Sequence, residues 1–290
     1  MNEQEKETAA RTSWKYYNEI AAAGNKTDIP RRDALAKAMI RRHLKDENGD
    51  AAVACRKIHT TCQTRHEEKL DWVRNAWHQP DDEDTNNDWS PEQVEFSQSI
   101  RHKMSRWLGP HGRVCVLDYD DEGRCNFYHR LSIYTQGTRY DREGILYSAS
   151  YMLEKAIACT ERKSQGQQTQ VNVVLDYRGA NIRNKAQTLP ISIALEVADL
   201  MKDHHPGRLW TMTLIDAPFL ARLAWPLFRP FVNHIVDGGI KFVTGEKQIL
   251  KTFGPKMCHY DRARNLDMNK FFQLPFDQTY EDVYGRELEY

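Results

Sequence analysis

Pro226 and Pro230 fall inside the most apolar stretch of the chain, His205 to Phe242 (HPGRLWTMTLIDAPFLARLAWPLFRPFVNHIVDGGIKF). A proline inside a helix removes a backbone donor and clashes with the preceding turn. This stretch therefore cannot run as one straight helix, although its residues are mostly aliphatic and aromatic. It divides into a turn at His205-Pro206-Gly207 and a strand-like run from Leu209 to Ile215. A stop at Asp216-Ala217-Pro218 follows, then a broken helical segment carrying Arg222 and Arg229, then a second apolar pair, Ile240 and Phe242.

The preceding chain has the same alternation. Asp141 is suited to cap a helix from Arg142 to about Arg162, with Ile145, Ala149, Met152, Leu153, Ala156 and Ile157 along one face. Val171 to Leu175 is a β-branched strand closed by Asp176-Tyr177-Arg178-Gly179. Gln187-Thr188-Leu189-Pro190 opens a helix running to His204. Strands alternating with helices predict an α/β fold: a mostly parallel sheet flanked by helices. Alternate strand residues face opposite sides, so Val171, Val173 and Leu175 share a face, and Met212 and Leu214 share one opposite Thr211 and Thr213.

Upstream the pattern is helical. Trp14, Tyr17 and Ile20 form one stripe, and Leu35, Met39 and Ile40 a second. A third set, from Val53 to Trp77, follows the turn at Asn48-Gly49-Asp50. The acidic, turn-rich run Pro80 to Asp88 reads as a linker. Ser90 and Gln93 form a capping-box pattern that starts a helix ending at Gly109-Pro110. Val114 to Tyr119 and Cys125 to Tyr134 are strand-like. Asp118 to Gly123 between them superficially matches a calcium loop, but the position needing a bidentate glutamate is His129, so a hairpin turn is expected. The expected division is 1–88, an N-terminal helical region with its linker; 89–262, the α/β domain; and 263–290, a C-terminal tail, read as irregular and packed on the surface with Phe271, Phe272 and Phe276 as anchors.

Composition narrows function. Lys+Arg 41 equals Asp+Glu 41, which leaves no global charge for nucleic acid. No apolar run approaches the ~20 residues that span a bilayer, and MNEQEKETAA has no apolar signal core. The six cysteines show no CxxC spacing, so free thiols in a reducing compartment are expected. GxSxG, GxxxxGK[ST], HExxH and GxGxxG are all missing. Asp203-His204-His205 invites a metal reading, but a helix end favouring cationic side chains accounts for it.

HPGRL, WTMTLI, DAP and RPFVNH, in that order, resemble the CRAL-TRIO family, whose pattern is YPERL, an apolar strand, NAP, and a helix ending in KPFLDP. DEGRCNFY resembles the family's first strand, with Cys125 in place of proline, and Asp176 to Gly179 resembles its D-x-x-G. IRRHLKDENGDAAVA is similar to the N-terminal helical region. The resemblance covers roughly Gly112 to Gly254, and loosely Asp28 to Trp77.

The resemblance implies a hydrophobic lipid cavity floored by the apolar sheet face and closed by a gate helix. Val171, Val173, Leu175, Met212 and Leu214 would line it, with Phe228, Phe231, Ile240 and Phe242 closing it. Arg222, Trp225 and Arg229 would touch a membrane. The family's phosphatidylinositol contacts fall here on Gly207, Val236 and Gly239, and its choline-phosphate contacts on Val171 and Val173. The expected guest is therefore a more apolar lipid, or a phospholipid held differently. The expected protein is a non-enzymatic, monomeric, cytoplasmic lipid binder with no cofactor beyond its lipid. It would associate peripherally and transiently with a membrane surface and present or transfer lipid. The alternative is a regulatory module that docks without transfer.

Overall fold

The computed structural model describes residues 39–77, 90–108, 114–130, 141–179, 191–219, 222–223, 225–226, 236–254 and 266–284. The expected helix around Trp14, the linker Pro80 to Asp88, the helix start at Gln187 to Pro190, and Phe228, Arg229 and Phe231 lie outside these residues.

Helical residues 39–46 lead through a turn, with Asn48 and Gly49 at positive φ, into α1 (Ala51–Glu67). The third helical set is two helices. Lys69 adopts left-handed φ 51°, breaking the chain between α1 and α2 (Leu70–Asn75). The capping box forms at the start of α3 (Pro91–Leu108): the Ser90 N–H donates to Gln93 Oε1 at 2.8 Å and the Gln93 N–H to Ser90 Oγ at 3.2 Å. The hairpin joins β1 (Val114–Tyr119) and β2 (Cys125–Arg130). Asp120 Oδ1 accepts from the N–H groups of Glu122 and Arg124 there, the bonding of a tight hairpin turn. Asp141 caps α4 (Arg142–Lys163) through the Gly144 N–H.

After β3 (Val171–Asp176) come α5 (Ile191–His204) and β4 (Leu209–Ile215), then β5 (Ile240–Val243) and α6 (Glu246–Phe253). The sheet follows chain order, β1-β2-β3-β4-β5. β1 is antiparallel to β2, and the other pairs are parallel. Right-handed crossovers that advance in one direction place their helices on one face. Consistent with this, the Cys125 thiol, on the same face of β2 as Phe127, meets Cys159 of α4.

The C-terminal segment is more ordered and more deeply placed than an irregular surface tail. It forms α7 (Met268–Gln273) and α8 (Tyr280–Tyr284), and Phe271 is fully buried with Phe272 in the main core. Phe272 stacks on Trp77 at 3.7 Å between ring centroids, so this segment ties the N-terminal helices to α4. Cys115, Cys125 and Cys159 are buried free thiols.

Candidate functional site

The register assembles two rows across all five strands, apolar except for the half-buried His129. One runs Val116, Phe127, Val173, Met212, Ile240; the next runs Val114, His129, Leu175, Leu214, Phe242. Val171 pairs with Leu209 beside them. Seven of the nine expected lipid-lining residues therefore form one continuous surface. Phe127, His129, Val114, Val116 and Leu209 join it without having been singled out, because membership in a row depends on strand pairing. Alternation within β1 and β2 was legible, but their register against β3 was not.

The opposite face is polar. Thr211 Oγ1 donates to Asn172 Oδ1 at 2.7 Å, and Asn126 Nδ2 to Asp118 Oδ1 at 2.8 Å. Tyr128 OH bonds Asp176, and Arg178 forks onto the same fully buried carboxylate, with Nη2 to Oδ2 at 2.7 Å. Burial, then Asp176, pushes the Tyr128 hydroxyl well up from its ordinary value. The D-x-x-G turn is thus a buried ionic clamp at the end of β3. A hollow of about 500 Å³ opens on this polar face, with Asn126, Asn172, Thr211 and Thr213 in its wall. None of the expected lipid-lining residues borders it.

Backbone geometry sets the strand ends on the apolar side. Asp216 holds φ 47°, a left-handed conformation that aspartate tolerates better than most residues, and its Oδ1 accepts from Gly245 at 2.9 Å. The DAP stop of β4 is thereby tied to the start of α6. Gly238 approaches β4 so closely that a Cβ there would lie 2.7 Å from the Trp210 carbonyl oxygen, so the turn before β5 requires glycine.

Coverage of the apolar face is uneven. Val171, Val173 and Leu214 are buried, while Leu175, Met212, Ile240 and Phe242 are only half-buried. Met212 lies on an interior strand between Val173 and Ile240, yet solvent reaches it. The segment after β4 meets this face through Trp225, whose ring packs edge-on against Phe242 at 5.6 Å. Trp225 is half-buried and turned toward the sheet, whereas Arg222 is exposed, with Nη1 3.4 Å from Thr244 Oγ1. The most exposed apolar side chains flank Arg222: Phe219 at 71% and Leu223 at 65%. Amphipathicity of the broken segment was readable, but which of its large residues point outward was not.

His204 Nδ1 lies 3.2 Å from Thr61 Oγ1, and burial pushes the His205 imidazole down to about 3, opposed by nearby Glu154. Among the described residues no helix is long and apolar enough to cross a membrane.

Residues 110–260, just over half of the chain, match the family model of the CRAL/TRIO domain. The SEC14 cytosolic factor of Kluyveromyces lactis is 33% identical over 81 residues, which is 27% of this chain and 26% of that protein. The crystal structure of Sfh5 superposes with a TM-score of 0.48 at 11% identity, over 72% of this chain and 66% of that one. The chain thus spans about a quarter of the first relative and just under two thirds of the second.

Proposed function

This chain belongs to the CRAL/TRIO domain family, and from that premise we propose that it binds a hydrophobic lipid against the apolar sheet face and presents or transfers it at membranes. The observation that carries this reading is the partial exposure of Met212, an apolar residue on an interior strand flanked by Val173 and Ile240. An apolar side chain in that position is normally covered by a packed helix, so its accessibility argues for space above it. Each methylene of a guest chain removed from water contributes ~0.8 kcal/mol, which favours filling such space with an acyl or isoprenoid chain.

The guest is an apolar lipid, or a phospholipid gripped otherwise than by the family's usual headgroup contacts. Val171 and Val173 bring no hydroxyl to the face, and Gly207, Val236 and Gly239 bring no charge. The membrane-facing element is the segment after β4, where exposed Phe219 and Leu223 flank Arg222. Apolar groups beside a cation suit the interface between acyl chains and headgroups. The function is binding and delivery, not catalysis, at a cytoplasmic membrane surface.

Organic extraction of the purified full chain followed by mass spectrometry tests the guest: sterol, prenol, fatty acyl or tocopherol-like species are expected, and phosphatidylinositol as the dominant lipid would refute it. Transfer of a fluorescent lipid between vesicles tests delivery. Stoichiometric binding with no transfer would replace it with the docking, regulatory reading.

A further inference from the structure

The sheet face opposite Met212 departs from what parallel strands usually carry. Such strands are ordinarily covered on both sides and read as near-continuous apolar runs, and asparagine is depleted in strands. Here Asn126 and Asn172 sit side by side on the neighbouring strands β2 and β3, and Thr211 follows in the same row on β4. The next row runs Val174, Thr213, Lys241. Asn126, Asn172, Thr211 and Thr213 are only 5% to 9% exposed, so this is not a solvated sheet face. All four line the hollow of about 500 Å³, a size typical of small-molecule sites. Polar side chains enclosed on interior strands break the local rule for a sheet, and such breaks concentrate at functional sites.

The floor is held in place yet has bonding capacity left. Thr211 Oγ1 donates to Asn172 Oδ1, and Asn172 Nδ2 donates to Asp120 Oδ2 at 2.9 Å, a chain that fixes both side chains. Asn126 Nδ2 donates to Asp118, which leaves Asn126 Oδ1 without a donor among the described residues. The Thr213 hydroxyl is likewise unbonded among them. Neither oxygen is sealed off by protein, so both can be reached from the hollow. The charges around it are largely committed to one another: Arg124 pairs with Glu122 at 2.6 Å and with Asp120 at 3.4 Å. Lys241, on the edge strand β5, is exposed. The Arg124 guanidinium also lies 4.4 Å from the Trp210 ring centroid, and Gly238 leaves no room for a Cβ against that ring. Trp210 is therefore a fixed apolar wall, and Phe253 supplies more of it.

We propose that this hollow binds a neutral sugar of about two rings, its hydroxyls bonding Asn126, Asn172 and Thr213 and its C–H surface lying against Trp210 and Phe253. Amide and hydroxyl side chains both donate and accept, as sugar hydroxyls do, and they carry no charge to select an ion. The register sets the length. Asn126 and Thr213 lie two strands and one side-chain row apart, roughly 12 Å between Cα atoms, with Asn172 between them. A ligand that touches both is longer than one pyranose ring. The site is distinct from the lipid face, since Asn126, Asn172 and Thr213 alternate with Phe127, Val173 and Met212 along their strands and point the other way.

Saturation-transfer NMR titration of the full chain with maltose, cellobiose, sucrose and trehalose tests the proposal. At least one of the four is expected to bind saturably, with a Kd of about 10 mM or tighter, and trehalose 6-phosphate should bind no tighter than trehalose. Thr213→Val removes only the hydroxyl and should weaken the bound sugar by about 3- to 10-fold. Thr213→Ser keeps the hydroxyl and should bind like the wild-type chain, and melting temperatures show that both variants fold. Lack of saturable binding by all four sugars, tighter binding of the phosphate, or unchanged affinity in Thr213→Val would overturn the assignment. Copurified lipid should be equal in both variants, so failure here is separable from failure of the lipid reading.

Discussion

The ring of Trp225 meets the ring of Phe242 edge-on, with centroids 5.6 Å apart and planes at 72°. This contact fastens the proline-broken segment after β4 to the row of β5 that ends the apolar face. Edge-to-face aromatic pairs contribute about 0.5–1.5 kcal/mol beyond simple burial. Trp225→Ala should therefore speed release of a bound fluorescent lipid by about 2- to 10-fold, with little change in unfolding midpoint. Stopped-flow transfer to acceptor vesicles measures the rate, and an unaltered rate would remove Trp225 from the lid.

Met212 provides a direct test of space above the sheet. If the face is vacant for a guest, Met212→Trp fills it: copurified lipid falls by half or more, and folding stability stays within about 1 kcal/mol. If the region is already packed by protein, the larger ring overpacks it and costs about 1–3 kcal/mol. Urea unfolding and lipid quantification on the same sample distinguish the two outcomes.

Acid should loosen the seam between the N-terminal helices and the α/β core. Burial, then Arg42, Lys57 and His204, hold the His43 imidazole down to about 4; burial chiefly holds His205 to about 3. Both titrate near 6.5 once unfolded. Below that value the unfolded chain binds protons that the folded chain refuses, so stability is greatest above pH ~6.5 and falls as pH drops toward 4. The slope is about 1.4 kcal/mol per pH unit for each histidine. Urea unfolding at pH 7, 6, 5 and 4.5 should show this decline, and His43→Leu should reduce its slope by about half. A flat profile in the wild-type chain would exclude it.

Phe271 tests whether the C-terminal helices belong to the core. The residue is fully buried, and the Lys155 ammonium lies 5.4 Å from its ring centroid while donating to the Pro275 carbonyl at 2.8 Å. Phe271→Ala should cost about 3–5 kcal/mol. A loss below about 1 kcal/mol, read from denaturant unfolding, would make the segment a peripheral attachment.

Much of the architecture was readable because its signals are local. The Ser90–Gln93 box, the Asp141 cap, the Asp120 hairpin and the β-branched run at Val171 each depend on residues a few positions apart. The break at Lys69 was not readable, since a lysine in left-handed conformation carries no marker in the sequence. The depth of Phe271 and Phe272 was also missed. Their partners, Trp77 and Tyr151, are distant in the chain, and a short aromatic run reads equally well as surface anchor or core.

The amino-acid order alone determined that strands and helices alternate, that β3 and β4 each carry an apolar side, and that Pro226 and Pro230 break the segment beyond them. These follow from dihedral limits and side-chain alternation, which act within a few residues. Tertiary structure alone decided that five strands align their apolar residues into two rows reaching from Val114 and Val116 to Phe242 and Ile240. It also decided that Trp225 turns inward while Phe219 and Leu223 face solvent. Register and helix docking join residues far apart in the chain, and no local preference records which of them will meet.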